Sequence, residues 1–427
     1  MQDSKFAIKK ITECRVCGNG RLLDILSLGE LYVSDFVGSE KEHTMKVPLE
    51  LVLCEQKGGG CGLLQLRHNT PSELMYANYW YLSGLNESMR AALADITKCA
   101  EQKVPLSSGD IVLDIGCNDG TLLRSYPTLG LKLVGMDPAK NLPKYSEVGT
   151  TKIINDYFNA KGFEAHFPHQ KAKVITAIAM FYDLDDPNSF VSDVARILHQ
   201  DGVFIIQMSY LPLMLEMNAF DNICHEHLEY YSLSSLQNLL ARHNLQIFDA
   251  SLNDVNGGSF RVYCKKRGSK VGETDEEKAN VTKLLSREKE MGLEGRAVYD
   301  EFSLRVGEIK RKVVSFITEE KEKGRKIFVY GASTKGNTLL QYFGLDHAVL
   351  EAAAERNPDK WGKKTVGTLI PIISEEDARS QKPDYFLVLP WHFINNFLQR
   401  EQSYLDSGGK FIVPLPEFKI IGAEGPK

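Results

Sequence analysis

An acidic, glycine-rich turn follows a buried-strand pattern at residues 112–120, whose sequence is VLDIGCNDG. A second apolar run at 133–137, LVGMD, also ends in an acid, Asp137. Glycines let the backbone approach a ligand closely, and an acid at the end of the second strand is placed to bind a ribose diol. A phosphate-binding turn would favour hydrogen-bond donors, so acids here indicate a cationic, phosphate-free adenosyl ligand. The alternative is a structural strand-to-helix turn with solvated acids.

The ligand that fits this pattern is S-adenosylmethionine. Residues 153–158 place Asp156 at a strand end, where it is expected to accept a hydrogen bond from the adenine amino group. The buried run 173–181 leads to the cleft at the switch point of the predicted sheet. The residues expected to contact this cofactor are Asp114, Gly116, Asn118, Asp119, Gly120, Asp137, Asp156 and Ala179.

Four of the eight cysteines lie in the first 61 residues, at Cys14, Cys17, Cys54 and Cys61. A Cys-x-x-Cys turn followed by glycine is typical of half a tetrahedral zinc site. The second pair departs from that spacing, with six residues between its cysteines, but the glycines inside this loop allow it to close. Because four thiolates leave no open coordination position, a structural Zn²⁺ is expected at these four residues.

Residues 224–232, CHEHLEYYS, bring two histidines, two acids and two tyrosines together. A histidine beside carboxylates is a typical general base, because imidazole titrates near neutral pH. The segment therefore indicates a catalytic site at His225, Glu226 and His227. The residues alone leave two alternatives open, a His-x-His metal site and a purely structural histidine cluster.

At 427 residues the chain is too long for one core, and two or three domains are expected. Helical patterns cover about 72–103 and 271–323, and a second strand-turn-helix pattern, KIFVYGASTKGN, follows at 326–337. Further strand patterns lie at 349–355 and 384–390. The predicted fold is α/β, with a small zinc-binding domain at 1–71, a class I Rossmann-like methyltransferase domain at 72–265, and a helical connection leading to a second Rossmann-like α/β domain at 266–427.

A net charge of −5 without a large basic patch argues against nucleic acid or a membrane surface as a partner. No apolar run approaches the roughly 18 residues of a membrane span. The first residues, MQDSKFAIKKITEC, lack the apolar core of a signal peptide. A cytoplasmic protein with a small substrate is therefore expected. The charge pattern leaves the oligomeric state open and is compatible with a monomer.

Four blocks occur in order: the four-cysteine segment, the acidic turn, His-Glu-His followed by NGGSFR at 256–261, and GASTKG at 331–336. With them, nearly the whole chain resembles the nucleotide-sugar 3-C-methyltransferases of antibiotic and lipopolysaccharide pathways. The resemblance implies methyl transfer from S-adenosylmethionine to C3 of a nucleoside-diphosphate 4-keto-6-deoxy sugar. The C3 proton is acidic because the neighbouring ketone delocalises the charge as an enolate, so the enzyme must supply a base at C3 and donors at the ketone oxygen.

The resemblance also implies roles for individual residues. His227, the second histidine of the motif, is the implied base. Glu226 is implied to bind sugar hydroxyls or to tune that base, and His225 to support the site without touching the substrate. Tyr81, with Tyr79 as second candidate, is implied to face the sugar or the enolate oxygen.

The GASTKG loop is expected to bind the diphosphate. It opens a helix whose N-terminal amides suit an anion, and Lys335 adds a positive charge. Glu355 is expected to contact a ribose or base. A structural turn and a dinucleotide site are the alternatives, although the second glycine of the dinucleotide motif is missing.

One departure from the family pattern concerns Cys224, which stands where antibiotic-pathway members often have tyrosine. Tyr182 is expected to supply a replacement contact. The sugar or nucleotide of the substrate is expected to differ from that of the best-known relatives. The residues expected to bind the substrate are Cys224, Tyr182, Asn256, Ser333, Lys335, Asn337, Glu355 and Arg356.

Two other functions stay open. The first is O- or N-methylation of a nucleotide sugar, which needs no neighbouring ketone. The second is a non-enzymatic zinc scaffold that binds S-adenosylmethionine and nucleotide sugars without turnover. The acidic turn and His-Glu-His in one chain argue against the scaffold. The residues do not distinguish dTDP from GDP as the nucleotide.

Overall fold

The computed structural model describes residues 8–39, 42, 45–71, 75 and 82–426. Its N-terminal part is built from short antiparallel strands, three of which pair in the order β5, β4, β2, while β1 pairs with β6. These strands are β1 Lys9–Lys10, β2 Leu23–Tyr32, β3 Phe36–Val37, β4 Lys46–Leu53, β5 Leu64–Leu66 and β6 His68–Asn69.

A seven-stranded sheet forms the centre of the chain. All five residues of its first strand, IVLDI, are buried, as expected for a parallel strand covered on both faces. Numbered along the chain, its strands lie side by side in the order third, second, first, fourth, fifth, seventh, sixth. Only the seventh runs in the opposite direction to the other six. They are β7 Ile111–Ile115, β8 Lys132–Met136, β9 Lys152–Ile154, β10 Ala172–Ile178, β11 Leu198–Ser209, β13 Leu245–Asn253 and β14 Ser259–Lys266. The predicted methyltransferase sheet is confirmed.

Helices cover both faces of this sheet, so alternate strand residues enter separate cores. Val112 packs in the core that contains Ile96, whereas Leu113 packs in the core that contains Phe163 and Leu236. The helices begin with side-chain caps where polar residues allow it; Asn86, for example, accepts the Ser88 N–H. They are α1 Glu87–Lys103, α2 Pro143–Ser146, α3 Ala160–His166, α4 Pro187–Ile197, α5 Leu211–Glu216 and α6 Leu233–Arg242.

Two long helices follow the central sheet, α7 Asp275–Glu290 and α8 Ala297–Glu322. They confirm the predicted helical region and divide it at residues 291–296. Along α8 a stripe of apolar side chains, including Phe302 and Val306, recurs every three or four residues and packs against the C-terminal core. Across the part of the chain that the structure describes, no helix combines the length and apolarity needed to cross a membrane.

The C-terminal part is a second α/β unit, as predicted. Five parallel strands lie in the order β18, β16, β15, β19, β20, and an antiparallel pair, β21 and β22, extends one edge. The elements are β15 Ile327–Tyr330, α9 Thr334–Phe343, β16 Ala353–Glu355, β17 Lys364–Thr365, β18 Ile372–Ser374, α10 Glu375–Ser380, β19 Tyr385–Val388, α11 Ile394–Arg400, α12 Gln402–Asp406, β20 Lys410–Val413, β21 Lys419–Gly422 and β22 Gly425–Pro426.

Strand pairing joins the N-terminal part to both other parts. The strand β12, Glu229–Tyr230, comes directly after the His-Glu-His segment and pairs with β5. The short strand β3 pairs with β17 of the C-terminal part. The predicted boundaries at 71/72 and 265/266 stay a prediction, because these pairings cross from one predicted domain to another.

Candidate active site

The four predicted zinc ligands converge despite the long spacing of the second pair. Their sulfur atoms lie within 4.8 Å of one another, at 3.5 Å for Cys14 and Cys61 and 3.4 Å for Cys17 and Cys54. Zinc–sulfur bonds of ~2.3 Å in a tetrahedron place sulfurs about 3.8 Å apart, so the cluster fits one ion. Gly60 permits the closure, since a Cβ there would lie 2.5 Å from the Cys54 sulfur. A Zn²⁺ held by four thiolates is structural.

The acidic turn after β7 is held by the carboxylate of Asp137 at the end of β8. Its two oxygens accept the N–H groups of Asn118 and Ala139, each at 2.9 Å. Burial raises the pKa of Asp137, and these two donors oppose that rise. Asp137 also lines the large cavity described below. Its remaining lone pairs can therefore accept the two hydroxyls of a ribose.

Asp114 supplies a second buried carboxyl group at this edge of the sheet. It ends the apolar run of β7, accepts a hydrogen bond of 2.6 Å from Thr176 Oγ1, and lines the same cavity. Burial raises the pKa of Asp114 to about 7. A cation bound beside it would favour its ionised form, which suits a ligand that carries a sulfonium and an ammonium group. The site therefore fits S-adenosylmethionine.

Replacing Asp137 with alanine is expected to weaken S-adenosylmethionine binding by about 10²-fold, because two charge-assisted hydrogen bonds to the ribose would be lost. The dissociation constant is measured by isothermal titration calorimetry, with circular dichroism to check folding. Glu147→Ala is the matched control, since this carboxylate is exposed and lies outside the cavity lining. An unchanged dissociation constant in Asp137→Ala would contradict the ribose contact.

Three other predicted cofactor residues also line the cavity: Gly116, Asn118 and Ala179. Asn118 and Ala179 have positive φ angles of 51° and 53°, which turn the chain sharply at the ends of β7 and β10. The carboxyl ends of the two central strands are thus shaped into one edge of the site.

Three further predicted cofactor residues lie outside the cavity lining. Asp119 uses its carboxylate to accept the N–H groups of Gly84, at 2.7 Å, and of Thr121. A Cβ on Gly120 would press against the Ser146 backbone, so this glycine serves close packing. Asp156 is exposed and accepts the N–H of its neighbour Tyr157. Their contacts with the cofactor stay predictions.

A cavity of about 810 Å³ lies where the central and C-terminal sheets turn their carboxyl ends towards each other. Its lining includes Gly116 and Ala179 from the central sheet and Ser333 and Pro390 from the C-terminal sheet. Open α/β sheets bind ligands at these strand ends. The volume lies in the upper part of the roughly 300–1,000 Å³ usual for small-molecule sites, which suits a cofactor together with a substrate.

His227 is buried in the wall of this cavity with one ring nitrogen fixed. Its Nδ1 lies 2.8 Å from the backbone oxygen of Asn222, which can only accept, so Nδ1 carries the proton and Nε2 keeps its lone pair. The ring packs against Tyr182 at a centroid distance of 4.2 Å. Burial and the charge of Lys335 lower the pKa of His227 to about 3, so the imidazole is neutral at neutral pH. A neutral imidazole with a free Nε2 can accept a proton.

Glu226 and Cys224 lie beside this imidazole. One ligand atom from each of Cys224, Glu226 and His227 falls within 4.8 Å of the others. Burial raises the pKa of Glu226 to about 7, although the Lys335 charge opposes the rise. Burial also raises the pKa of the Cys224 thiol well above its usual value, so this side chain is protonated. Cys224 lies outside the cavity lining.

The GASTKG loop brings Lys335 to the same cluster from the C-terminal part. Ser333 caps α9 and accepts the Gly336 N–H at 3.0 Å, so its hydroxyl already has a structural partner. Lys335, in the first turn of α9, donates from Nζ to Oδ1 of Asn222 at 2.5 Å. Both Ser333 and Lys335 line the cavity, as the prediction of a substrate site requires.

The other predicted substrate residues of the C-terminal part are not in the cavity lining. Asn337 is buried and donates from Nδ2 to the Asp35 backbone oxygen. Glu355, at the end of β16, accepts the Ala332 N–H at 3.0 Å and so ties the GASTKG loop to this strand. Arg356 is exposed. These hydrogen bonds give Asn337 and Glu355 structural roles.

His225 points away from the cavity. Its Nε2 lies 3.0 Å from the Val47 backbone oxygen, and burial lowers the pKa of His225 to about 4. It links the catalytic segment to β4, which agrees with a supporting position. Tyr79 and Tyr81 lie outside the described residues, as does the side chain of Asn256, and their predicted contacts stay predictions.

Several residues in or beside the cavity were missed by the sequence reasoning. Asn222 positions both His227 and Lys335, although it stands only two residues before Cys224. His392 follows the end of β19, a position that the strand-end rule could have found. Asp221 lies next to Asn222 and accepts a hydrogen bond from the Trp391 indole. No local pattern marks the side-chain contacts of Asn222 and Asp221, because their partners Lys335 and Trp391 lie more than 100 residues away in the sequence.

Comparisons with known proteins agree with this geometry. Family models match three consecutive parts of the chain: a zinc binding domain at 14–76, a methyltransferase domain at 85–250, and a C-methyltransferase C-terminal domain at 254–416. C-methyltransferase NovU from Streptomyces niveus is 31% identical over 428 residues, covering 99% of both chains. A ubiquinone biosynthesis O-methyltransferase from Rhodopseudomonas palustris is 25% identical over 97 residues, or 22% of this chain and 38% of that protein.

Among solved structures, the YcgJ protein from Bacillus subtilis matches 42% of this chain and 99% of its own, with 17% identity and a TM-score of 0.32. Magnesium protoporphyrin IX methyltransferase from Synechocystis with bound S-adenosylmethionine covers 42% of this chain and 79% of its own, with 10% identity and a TM-score of 0.31. The likeness to NovU extends over the whole chain and includes all three matched regions. The chain therefore belongs to the C-methyltransferase family that contains NovU, and it is an S-adenosylmethionine-dependent C-methyltransferase with an N-terminal zinc-binding domain.

Proposed function

We propose that this C-methyltransferase methylates C3 of a nucleoside-diphosphate 4-keto-6-deoxy sugar, as a step in branched deoxysugar biosynthesis. The observation that carries the proposal is the free Nε2 of His227, which lies in the wall of the same cavity as the cofactor residues Asp114 and Asp137. Carbon methylation requires a base because a C–H bond must be broken first. A buried, neutral imidazole beside the methyl donor meets that requirement.

His227 takes the C3 proton on Nε2, while the Asn222 backbone oxygen holds its Nδ1–H. Glu226 lies close enough either to bind a sugar hydroxyl or to stabilise the imidazolium that forms. The proton has low acidity unless a ketone is adjacent, so the chemistry itself favours a 4-keto sugar. Bound S-adenosylmethionine supplies an electrophilic methyl group. The apolar wall formed by Tyr182 and its neighbours limits water at the imidazole.

The C-terminal part of the cavity suits the nucleotide. The N-terminal amides of α9, a helix of ten residues, favour binding of an anion. Ser333 from this turn lines the cavity. These features support a sugar nucleotide, with the sugar near His227 and the nucleotide towards the C-terminal sheet.

A matched pair of substrates tests the proposal. The protein is incubated with S-adenosylmethionine and either dTDP-4-keto-6-deoxyglucose or the same sugar reduced at C4, and products are analysed by mass spectrometry. GDP sugars form a parallel pair. A gain of one methyl group with the ketone alone is expected. Equal methylation of the ketone and the alcohol would favour the alternative of an oxygen acceptor and would contradict carbon methylation of this substrate class.

A further inference from the structure

The charge in the cavity is strongly uneven. Within the described part of the chain, its lining contains six acidic side chains but only one lysine or arginine, Lys335. This lysine comes from the C-terminal part, whereas the proposed general base, His227, comes from the segment between β11 and β13. A lone cation among carboxyl groups is an unusual choice for anchoring a diphosphate, whose charge needs more than one positive partner.

Lys335 lies beside the proposed general base, His227, rather than at the outer end of the substrate site. Asn222 holds both residues, since its side-chain oxygen accepts from Lys335 Nζ at 2.5 Å and its backbone oxygen accepts from His227 Nδ1. Burial is the main cause of the lowered pKa values of His227 and His392, and the positive charge of Lys335 lowers them further. The same charge opposes the rise that burial causes in the pKa of Glu226. The ammonium group therefore acts on the side chains around the reacting carbon.

We infer that the Lys335 ammonium group stabilises the negative charge that develops on the C4 oxygen of the sugar, an inference that rests on the proposed function. The C3–H bond breaks and its proton passes to Nε2 of His227. The electron pair of that bond forms the C3–C4 double bond, and the carbonyl π pair moves to the oxygen beside Lys335. When C3 then accepts the methyl group, the C3–C4 π pair forms the new carbon–carbon bond and the oxygen pair restores the ketone. The electrons of the broken methyl–sulfur bond stay on sulfur, which leaves as the neutral thioether S-adenosylhomocysteine.

Two features favour this role over others. The ligand atoms of Cys224, Glu226 and His227 converge as they would around a metal ion, but the adjacent ammonium already supplies positive charge and would repel a second cation. Asp221, next to Asn222, has one buried carboxyl oxygen without a hydrogen-bond partner. Burial raises the pKa of Asp221, and the charge of Lys335 opposes that rise and so favours the ionised carboxylate. Lys335 is thereby kept at the cluster when no substrate is present.

The test compares Lys335→Met with Lys335→Arg. The measurements are kcat, KM for the 4-keto sugar nucleotide, the dissociation constant of the nucleoside diphosphate alone, and deuterium exchange at C3 without S-adenosylmethionine. We expect kcat and the exchange rate of Lys335→Met to fall by about 10²–10³-fold, as for other lost oxyanion donors. The dissociation constant of the nucleoside diphosphate should change by less than about threefold, which is well below the tenfold change that 1.4 kcal/mol represents. Lys335→Arg should recover part of the loss.

Lys360→Met is the matched control, because this lysine donates to the Ala332 backbone oxygen and supports the same loop from outside the cavity. A larger effect of Lys360→Met than of Lys335→Met on exchange would assign the loss to loop disorder and overturn the inference. Weaker nucleoside diphosphate binding by Lys335→Met, with an unchanged exchange rate of bound sugar, would instead make Lys335 a diphosphate anchor. A wild-type protein that neither exchanges nor methylates would reject the proposed function itself.

Discussion

Replacement of His227 by alanine is expected to lower the rate of methyl transfer by about 10²–10⁴-fold, the usual contribution of a general base. The variant removes the Nε2 lone pair that faces the cavity, but it leaves Asp114, Asp137 and their hydrogen bonds in place. S-adenosylmethionine should therefore bind with nearly unchanged affinity. Rates are measured by mass spectrometry, and affinity by calorimetry on the same preparations.

His166→Ala is the matched control, since this histidine is exposed at the end of α3 and lies outside the cavity lining. It should keep full activity. Glu226→Gln tests Glu226 as the other candidate for the base, because the substitution removes the carboxylate while keeping the shape of the side chain. Normal turnover of His227→Ala together with an inactive Glu226→Gln would transfer the role of base to Glu226 and contradict the assignment of His227.

Replacement of Cys14 by serine is expected to abolish zinc binding and to unfold the N-terminal part. Structural zinc sites bind with on the order of 10 kcal/mol, which is comparable to the whole free energy of unfolding of a typical domain, about 5–15 kcal/mol. Zinc content is measured by inductively coupled plasma mass spectrometry, and unfolding by thermal denaturation. The wild-type protein should carry one zinc per chain and Cys14→Ser close to none.

Loss of zinc should also lower activity, because the zinc turn supports the catalytic segment. Arg15, between two ligands, donates to the Leu66 backbone oxygen at 2.7 Å and lies 3.8 Å from the buried carboxylate of Glu229. Glu229 belongs to β12, two residues after His227. Cys99→Ser is the control, since Cys99 is outside the cluster. A soluble, zinc-free and fully active Cys14→Ser protein would contradict this link.

The parts of the fold that depend on local pattern could be predicted from the sequence. The buried run of β7, the acid at the end of β8 and the glycine-rich turn between them are encoded within about 25 consecutive residues. The same is true of the start of the second α/β unit, where a strand, the GASTKG loop and α9 follow directly. The cysteine cluster was predictable because each half is a local pattern: the Cys14-x-x-Cys17 turn followed by glycine, and the glycine-containing loop between Cys54 and Cys61.

Contacts between residues far apart in the sequence were harder to predict. The side-chain contact of Lys335 with Asn222 joins residues 113 positions apart, and no periodicity reports it. Polar residues near a motif can also have a structural role. Glu355 holds the Ala332 N–H of the GASTKG loop, and Asp119 holds the Gly84 N–H. Residue type and spacing indicate that a site exists, but only the packing of the two sheets determines which side chains face it.

Hydrogen exchange at C3 tests the central claim most directly. The wild-type protein is mixed with dTDP-4-keto-6-deoxyglucose in deuterated water without S-adenosylmethionine, and the sugar is followed by proton NMR. The C3 signal should disappear faster than in the protein-free control, while the anomeric signal is unchanged. After ¹³C-methyl S-adenosylmethionine is added, the methyl carbon should appear bonded to C3. A methyl group bonded to oxygen, formed without prior loss of the C3 signal, would contradict the enolate route.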